Sequence, residues 1–513
     1  MTVRIPTALG LGLVLLFGPL AGMPAADAQE RVLIVGDSSP VNTLDPTASL
    51  IAQNIGFSRN LFQSLLRYKP NSVELEGDLA RSWTVSPSGL VYTFKLRENV
   101  KFHKGFGKVT AQDVKFSYDR VMDPKTKSVF KSELDAVKEV RVLDDLTVEI
   151  HLKERDVVFL HKCARPRPVA IVPRAAIEKF GSDFARNPIG SGPFVFQSMS
   201  REEIVLTANP DYQEGPARID KIVYKVIPDV DTLVLALERG DVHLGVIVPR
   251  EKAVMMRLSA AGRTVKFVDR GAWHMMLINP GVKPLDDVRV RRAIAHAIDR
   301  DSIITHVLSG TAQKLDSLVP RGYFGHTEEG LRRYDYDPKK AKQLLTEAGY
   351  PDGFEIAFDT FTSPSYLPIA TVIQNQLEKV GIKAKLSVSD QPTWMKKVTG
   401  ATAAISLYLP VRPPDADIPL VNFFHSAGFS PGANLARYDK VDKEITAARG
   451  ETDQAKRRKS YHDIQKKLME DLPAIPLFMM AYPTPHVKNL AGIPDRDPVW
   501  YFDFYHFYFT DKK

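Results

Sequence analysis

The sequence predicts a protein of the α/β class with more than one lobe. A chain of 513 residues exceeds what one hydrophobic core usually organises, so two or three lobes are expected. Residues 354–388 read as a strand, a helix and a strand, which is the pattern of a βαβ unit with parallel strands. The fractions of hydrophobic (44%) and charged (25%) residues are typical of a soluble globular protein, and they disfavour a disordered chain or a polytopic membrane protein.

The N-terminal segment has the pattern of a secretion signal. Arg4 precedes an apolar run, 8–20, that is too short and too rich in Gly and Pro for a stable membrane span. Small residues at 26–28 resemble a cleavage site. We therefore expect residues 1–28 to be a signal peptide cleaved near Ala28. The mature chain is expected in the periplasm and is not expected to span the membrane.

Charge and cysteine content exclude other classes of partner and of stabilising bond. The net charge of +8 is spread along the chain, without the concentrated basic stripe and interleaved aromatics that nucleic acid binding requires. The single cysteine, Cys163, cannot form an intramolecular disulfide and is typical of a small buried hydrophobic residue. Stability must therefore come from packing.

The first half of the chain contains short strands and a capped helix. Residues 91–96 alternate apolar and polar side chains and predict a strand. Thr110 and Asp113 have the spacing of a capping box and predict the start of a helix. Residues 137–142 and 147–152 predict a pair of strands.

A glycine turn follows at Gly190-Ser191-Gly192, where glycine is expected to supply backbone angles that other residues avoid. The second half then predicts a largely parallel sheet flanked by helices. We expect a strand at 273–279, helices at 288–300 and 453–472, and the βαβ unit 354–388 between them.

Several of these segments contain sequence motifs of a known protein family. The clearest are SW, YTFKLR, VKFH and TAQDVKFSYDR within residues 79–122, NPDY and LERGDV within 209–242, VRRAIAHAIDR at 290–300 and PAIPL at 473–477. The chain thereby resembles the extracytoplasmic solute-binding proteins of the dipeptide, oligopeptide and nickel ABC importers (bacterial solute-binding protein family 5). Two departures are Gln213, where the family usually has Trp, and His243, where it has an acid.

The resemblance implies a two-lobed periplasmic-binding-protein-like α/β fold with a small extra domain inserted in the first lobe. Two hinge strands are expected near 272–280 and 480–486. The implied parts are the signal peptide 1–28, lobe I (29–75, 187–282 and 484–513), the inserted domain 76–186 and lobe II (283–483).

The implied function is capture of a small ligand, foremost a short peptide, and its delivery to the membrane permease subunits of an ABC importer by closure of the two lobes. A non-peptide ligand such as a metal complex or an oligosaccharide is the alternative. The resemblance implies no catalytic residue, no cofactor and no resident metal, and we expect a monomer.

Candidate ligand contacts come from three places in the chain: the loop after the first strand, aromatic or imidazole side chains with polar tips, and a loop resembling the family's GDxxDPxNF. The aromatic residues fit an ordinary core equally well. The candidates are Ser38, Ser39, Trp273, His274, Trp394, Tyr408, Arg412, Asp415 and Asp417.

In peptide-binding members, an Asp of that third loop receives the α-ammonium group of the peptide. Aligning the chain on Asn422-Phe423-Phe424 gives this role to Asp415, with Asp417 as the alternative, while Arg412 would meet the opposite charge of a zwitterion. Both Asp residues also suit a plain surface turn.

A periplasmic esterase is the competing class of function. Gly36-Asp37-Ser38 resembles the nucleophile block of GDS-type esterases, and Asp503 and His506 have the spacing of an oriented base. The G-x-N-D block that would complete the oxyanion hole is missing, so the esterase is disfavoured.

Overall fold

One long mixed β-sheet organises the protein. The computed structural model describes residues 30–41, 43–48, 52–166, 169–246, 248, 250–363, 365–410, 414–429, 433–451, 453–497 and 503–510. The described strands are β1 Val32–Asp37, β2 Leu66–Tyr68, β3 Leu75–Gly77, β4 Ala80–Val85, β5 Val91–Leu96, β6 Val137–Asp144, β7 Thr147–Leu152, β8 Phe194–Met199, β9 Glu203–Ala208, β10 Lys221–Val226, β11 Leu244–Gly245, β12 Arg263–Ile278, β13 Ala312–Lys314, β14 Phe354–Phe361, β15 Ile382–Ser389, β16 Ile405–Tyr408, β17 Ala474–Val487, β18 Leu490–Ala491 and β19 Tyr508–Phe509.

The helices pack on the sheets, and each of the longer ones turns an apolar face to a core. In the described ranges they are α1 Ala52–Leu61, α2 Ala111–Met122, α3 Phe159–Cys163, α4 Arg174–Phe180, α5 Val230–Arg239, α6 Lys252–Ala260, α7 Val288–Ala297, α8 Arg300–Ser302, α9 Pro338–Glu347, α10 Leu367–Glu378, α11 Gln391–Thr399, α12 Asp417–Phe424, α13 Asp442–Gly450 and α14 Gln454–Asp471. The capping interaction expected at α2 is present, because the carboxylate of Asp113 accepts the backbone N–H of Thr110 at 2.9 Å.

The strand order of the long sheet is β15-β14-β16-β12-β17-β11-β1-β10-β9-β8, with β13 paired to β17. The βαβ unit is confirmed, since β14 and β15 run parallel and α10 connects them. The expectation of a largely parallel sheet in the second half was too strong. Both β16 and β17 run antiparallel to β12, so the sheet is mixed.

A separate four-stranded antiparallel sheet has the order β4-β5-β7-β6. It contains the predicted strand 91–96 and the predicted strand pair, now β6 and β7. Helix α2 packs on this sheet through Val114, Tyr118 and Val121, which are buried. The most recognisable segment of the sequence therefore serves as scaffold.

Two large hydrophobic cores lie on the sheet. One is formed by residues between Ala272 and Met480. The other is formed by residues between Leu33 and Val268 together with the C-terminal segment from Leu490 to Phe507. The first of these cores draws mainly on residues expected in lobe II, and the other on residues expected in lobe I and in the inserted domain.

Strands β12 and β17 connect the two cores. On β12, Val268 belongs to one core and the residues from Ala272 onward belong to the other. The two strands pair antiparallel along most of their length, and the register shifts between Asp269 and Ala272, where Gly271 has φ +64°. A bulge of this kind bends a strand and strengthens its twist.

The glycine turn at 190–192 has a different cause from the one expected. Neither glycine has a positive φ in the structure. Instead, a Cβ on Gly190 would lie 2.1 Å from the carbonyl oxygen of Leu61, and one on Gly192 would lie 2.6 Å from its carbonyl carbon. Glycine is required here because two backbone segments pass very close to each other.

Candidate ligand-binding site

Charged and aromatic side chains gather where β12 and β17 pass between the cores. The ring of Tyr482 lies between two arginines, with the guanidinium carbon of Arg250 4.2 Å and that of Arg270 5.5 Å from the ring centroid. Arg270 lies in the bulge of β12, is almost fully buried, and donates to the carbonyl oxygen of Val246 at 3.2 Å. Cations over an aromatic face are attracted by its quadrupole.

The end of β1 reaches the same region. Asp37 is fully buried and accepts a hydrogen bond of 2.5 Å from the hydroxyl of Tyr224. Burial raises the pKa of Asp37, while Tyr224 and Arg270 act in the opposite direction. Ser38 and Ser39 follow directly and are half-buried, and the backbone N–H of Ser39 donates to Asp37.

Arg250 differs from Arg270 in its surroundings. The carboxylates of Asp497 and Asp37 lie close enough to Arg270 to oppose the lowering of its pKa by burial. Burial also lowers the pKa of Arg250, but there only Tyr482 opposes it. Tyr482 accepts a hydrogen bond from Arg250, no carboxylate in the described ranges acts on the pKa of Arg250, and its Nη2 has no hydrogen-bond acceptor there.

The predicted residues His274, Trp394 and Tyr408 belong to one aromatic cluster, which is joined through Tyr366. The ring centroids are 5.5 Å apart for His274 and Tyr366, 5.4 Å for Tyr366 and Trp394, and 5.6 Å for Trp394 and Tyr408. Trp394 donates from Nε1 to the hydroxyl of Ser406 at 2.8 Å. The cluster is buried and lies in the core formed by residues between Ala272 and Met480.

His274 is fully buried. Burial lowers its pKa to about 3, nearby Arg250 adds to this effect, and a hydrogen bond with the backbone of Ser365 acts to raise the pKa. The imidazole is therefore neutral at physiological pH. Trp273 is on the opposite face of β12, packed edge-on against Tyr323 at 5.7 Å.

Asp415 and Asp417 lie together, but each is paired within the chain. Nη2 of Arg457 donates to Oδ1 of Asp415 at 2.7 Å. Nε of Arg449 lies 3.2 Å from Oδ1 of Asp417, which also accepts from the hydroxyl of Tyr461 at 3.2 Å. Both carboxylates are almost fully buried. Burial raises the pKa of Asp417 to about 6, and Arg449 opposes the rise. Arg412 lies outside the described residues.

The same pair of carboxylates faces residues of the inserted segment. His161 stacks on Tyr68 at 5.8 Å, and their side chains are joined by a hydrogen bond of 3.1 Å. Burial lowers the pKa of His161, while Asp415 acts to raise it. Asp156 likewise acts on Asp417. The paired carboxylates therefore lie where the core between Ala272 and Met480 approaches the inserted segment.

The esterase residues do not form a triad in the structure. Nε2 of His506 lies 3.7 Å from Oδ2 of Asp503, so the pair expected from the sequence exists. Both residues border a cavity of about 670 Å³, measured with its open mouth, and Ser38 does not line it. Asp503 instead lies 3.5 Å from the guanidinium of Arg59.

Other kinds of site were also sought in the described part of the chain. It contains no group of three His, Cys, Asp or Glu side chains placed to hold a metal ion. No helix in these ranges is both long enough and apolar enough to cross a membrane. Cys163 is buried, its thiol 3.4 Å from the hydroxyl of Tyr118, and burial raises its pKa to about 12.

Sequence reasoning missed Arg250, Arg270, Tyr366 and Tyr482. Arg250 stands in a loop before a helix, which is the usual place of a solvated arginine. Tyr366 precedes helix α10 and resembles a core residue. A positional signal existed only for Tyr482, which lies in the segment expected to be a hinge strand.

The fold and these features define a two-lobed solute-binding protein. The family model "Bacterial extracellular solute-binding proteins, family 5 Middle" matches residues 74–431, and the chain belongs to this family. Its members bind small ligands or peptides and work with the permeases of ABC importers. They are substrate-binding proteins rather than enzymes.

Relatives match this chain over nearly its whole length. The glutathione-binding protein GsiB of Salmonella paratyphi A is 28% identical over 491 residues, which are 92% of this chain and 93% of that protein. The structure of HbpA2 from Haemophilus parasuis has a TM-score of 0.85 at 27% identity, covering 93% of this chain and 100% of that one. The structure of MoaA from A. tumefaciens R10, in complex with mannopinic acid, has a TM-score of 0.76 at 30% identity, covering 94% and 100%.

Proposed function

We propose that this protein captures a small ligand, foremost a short peptide or a peptide-like acid, and delivers it to its importer when the two lobes close over it. The observation that carries the proposal is the course of β12 and β17. Two long paired strands connect two separate cores, and a bulge interrupts them at the point where they pass from one core to the other.

Such an arrangement suits closure by bending. Each core is packed as a unit, whereas the connection between them consists of two strands whose ladder is interrupted between Asp269 and Ala272. Closed lobes are stable only if a ligand bridges surfaces that otherwise separate. We place the hinge at these strands and the lobe boundaries where the sequence predicts them, near 282–283 and 483–484.

The nature of the ligand is proposed from the relatives and from the chemistry beside the hinge. GsiB is named for glutathione, a tripeptide, and MoaA was solved with an acid. Near the hinge, this chain has an aromatic cluster beside a cationic group, which fits a ligand with an apolar part and a negative charge.

The site of action is proposed to be the periplasm. Relatives of this family are extracellular or periplasmic proteins. Residues 1–28 lie outside the described residues, and their sequence supports a signal peptide cleaved near Ala28. N-terminal sequencing of the protein exported by its host tests the cleavage position.

Calorimetric titration tests the function. The panel contains glutathione, mannopinic acid, the dipeptide Ala-Phe, a nickel–histidine complex and a neutral oligosaccharide, added to protein that has been unfolded, dialysed and refolded to remove bound material. We expect a peptide or a peptide-like acid to bind, and small-angle scattering at saturation to give a smaller radius of gyration.

Two outcomes would contradict the proposal. Binding of no compound, together with labelling of Ser38 by a serine-hydrolase probe, would favour the esterase. Tight binding with an unchanged radius of gyration would retain the binding function and remove closure. A Ser38→Ala variant is the control for labelling, and it is expected to leave the scattering change intact.

A further inference from the structure

We propose that Arg250 is the receptor for a carboxylate group of the ligand. This inference rests on the proposed function and adds to it the chemistry of one ligand group and the residue that binds it. It is drawn from the contacts of Arg250, from the groups that surround it, and from its position beside the bulge.

Buried arginines of this protein have partners inside the chain. Arg59 lies 2.8 Å from Asp78, and Arg300 lies 2.8 Å from Asp316. No carboxylate among the described residues acts on the pKa of Arg250. Arg250 is half-buried, and a guanidinium largely withdrawn from water without an opposite charge or a full set of acceptors is destabilising unless an external partner completes it.

The contacts of Arg250 hold the side chain and satisfy only part of its donors, since Tyr482 accepts one hydrogen bond. Its guanidinium carbon lies 4.2 Å from the ring centroid of Tyr482, and its Nη1 lies 3.9 Å from the sulfur of Met480, a weak acceptor. Its Nη2 is enclosed with no acceptor. The head group is thus oriented by the ring and hydroxyl of Tyr482 and by a thioether, while the N–H donors of Nη2 have no acceptor among the described residues.

The groups nearby are neutral or already paired. His274 carries no charge at physiological pH, since burial lowers its pKa to about 3. The carboxylates of Asp497 and Asp37 act on Arg270 and not on Arg250. The positive charge of Arg250 is therefore left for a ligand, and the planar fork of its N–H donors matches a carboxylate.

Position makes this receptor useful for closure. Met480, the neighbour of Arg250, pairs with Ala272 on β12, while Phe478 pairs with His274 two residues further along. Alternate residues of a strand share a face, so Arg250 and the aromatic cluster that begins at His274 lie along one face of the sheet. A ligand whose carboxylate binds Arg250 can lay its apolar part along this face.

The test compares acids with their methyl esters. Calorimetry is performed on the wild-type protein with glutathione, mannopinic acid and Ala-Phe, and then with the methyl ester of each. We expect an acid that binds to lose about ten- to a hundredfold in affinity when its carboxylates are esterified, the usual effect of a lost hydrogen bond to a charged group. Arg250→Met should weaken the acid by a similar factor and remove its preference over the ester.

Two further variants make the result specific. Arg250→Lys keeps the charge but loses the planar fork, and it should recover part of the affinity. Arg239→Met changes an exposed arginine at the end of α5 and should bind like the wild type. Thermal melting of each unliganded variant separates a folding defect from a binding defect.

Failure of this assignment is distinct from failure of the proposed function. If an acid and its ester bind the wild type equally, or if Arg250→Met keeps the preference for the acid, the receptor assignment is wrong and the binding function stands. If only the neutral oligosaccharide binds, the assignment is also wrong. If no compound in the panel binds, the proposed function fails and the assignment fails with it.

Discussion

A cluster of buried, paired charges and a half-buried arginine without a carboxylate partner in the described ranges have opposite arrangements in this protein. In one, which we call the paired cluster, Asp415 and Asp417 are matched with Arg457 and Arg449. In the other, Arg250 contacts Tyr482 and Met480 and has no carboxylate in the described ranges. Buried charges that are paired within the chain stabilise the fold, whereas a charge without an opposite charge nearby can bind an external partner.

This comparison changes the role expected for the acidic loop. The sequence suggested that Asp415 or Asp417 receives an ammonium group, yet each already has a guanidinium within 3.2 Å. Their arrangement supports a structural role that joins α12 to α14. Arg250 is the proposed receptor for the negative end of a zwitterion, and the ammonium role expected for Asp415 or Asp417 stays a prediction.

The largest expected effect comes from breaking the paired cluster. Arg457→Met leaves the carboxylate of Asp415 buried without its partner, and we expect a loss of about 3–5 kcal/mol in the free energy of unfolding. Urea unfolding followed by circular dichroism measures the loss. Lys459→Met, on the same helix but exposed, is the control and should change stability by less than about 0.5 kcal/mol. A small effect of Arg457→Met would show that the cluster is solvated or rearranged.

Acidification is expected to change the free energy of unfolding in opposite directions through His274, beside Arg250, and through Asp417, in the paired cluster. The pKa of His274 is about 3 in the folded protein against 6.5 for the free side chain, so its contribution is complete above pH 6.5 and is lost as the pH falls toward 3. The pKa of Asp417 is about 6 against 3.8, so the folded state binds the proton more tightly, and its contribution grows as the pH falls from 6 to 3.8.

Variants separate these contributions. Between pH 6 and 4, His274→Phe should lose less stability than the wild type and Asp417→Asn should lose more, each slope changing by at most about 1.4 kcal/mol per pH unit, the limit for one proton. Urea unfolding at four pH values measures both slopes. Parallel slopes for the two variants would contradict the opposite effects of burial.

The smallest effect is expected from removing the unpaired charge. Arg250→Met loses the contact with Tyr482 but also removes the need to bury a cation, so we expect the unliganded free energy of unfolding to change by less than about 1 kcal/mol. Melting of the unliganded variant beside Arg457→Met measures the contrast. A loss as large as that of Arg457→Met would mean that Arg250 has a structural role.

Most of the fold could be predicted from the sequence because the local sequence patterns agree with the packing seen in the structure. The capping box at Thr110, the strand at 91–96 and the βαβ unit all depend on residues close together in the chain. The mixed character of the sheet was missed because strand direction next to β12 depends on β17, about 200 residues further along the chain.

The candidate site was less predictable, because its properties arise from partners that are distant in sequence. Asp415 was recognised as a carboxylate of interest, but its pairing with Arg457 spans 42 residues and leaves no local pattern. Arg250 gave no signal at all. Whether an arginine lacks a partner is a property of the folded surroundings, and it cannot be read from neighbouring residues.

The bulge in β12 also bears on how this strand tolerates insertion and deletion. Asp269 pairs with Ala481 and Ala272 with Met480, so the bulge adds two residues, Arg270 and Gly271, opposite none on β17. Because side chains alternate with a period of two, an even insertion leaves every later side chain on its original face. A homologue lacking both residues would lose the bulge, the contacts of Arg270 with Val246 and Tyr482, and the hydrogen bond from Tyr323 to Gly271, while the later side chains of β12 would keep their faces. A single two-residue deletion would therefore remove the bulge and the cation beside Tyr482 together.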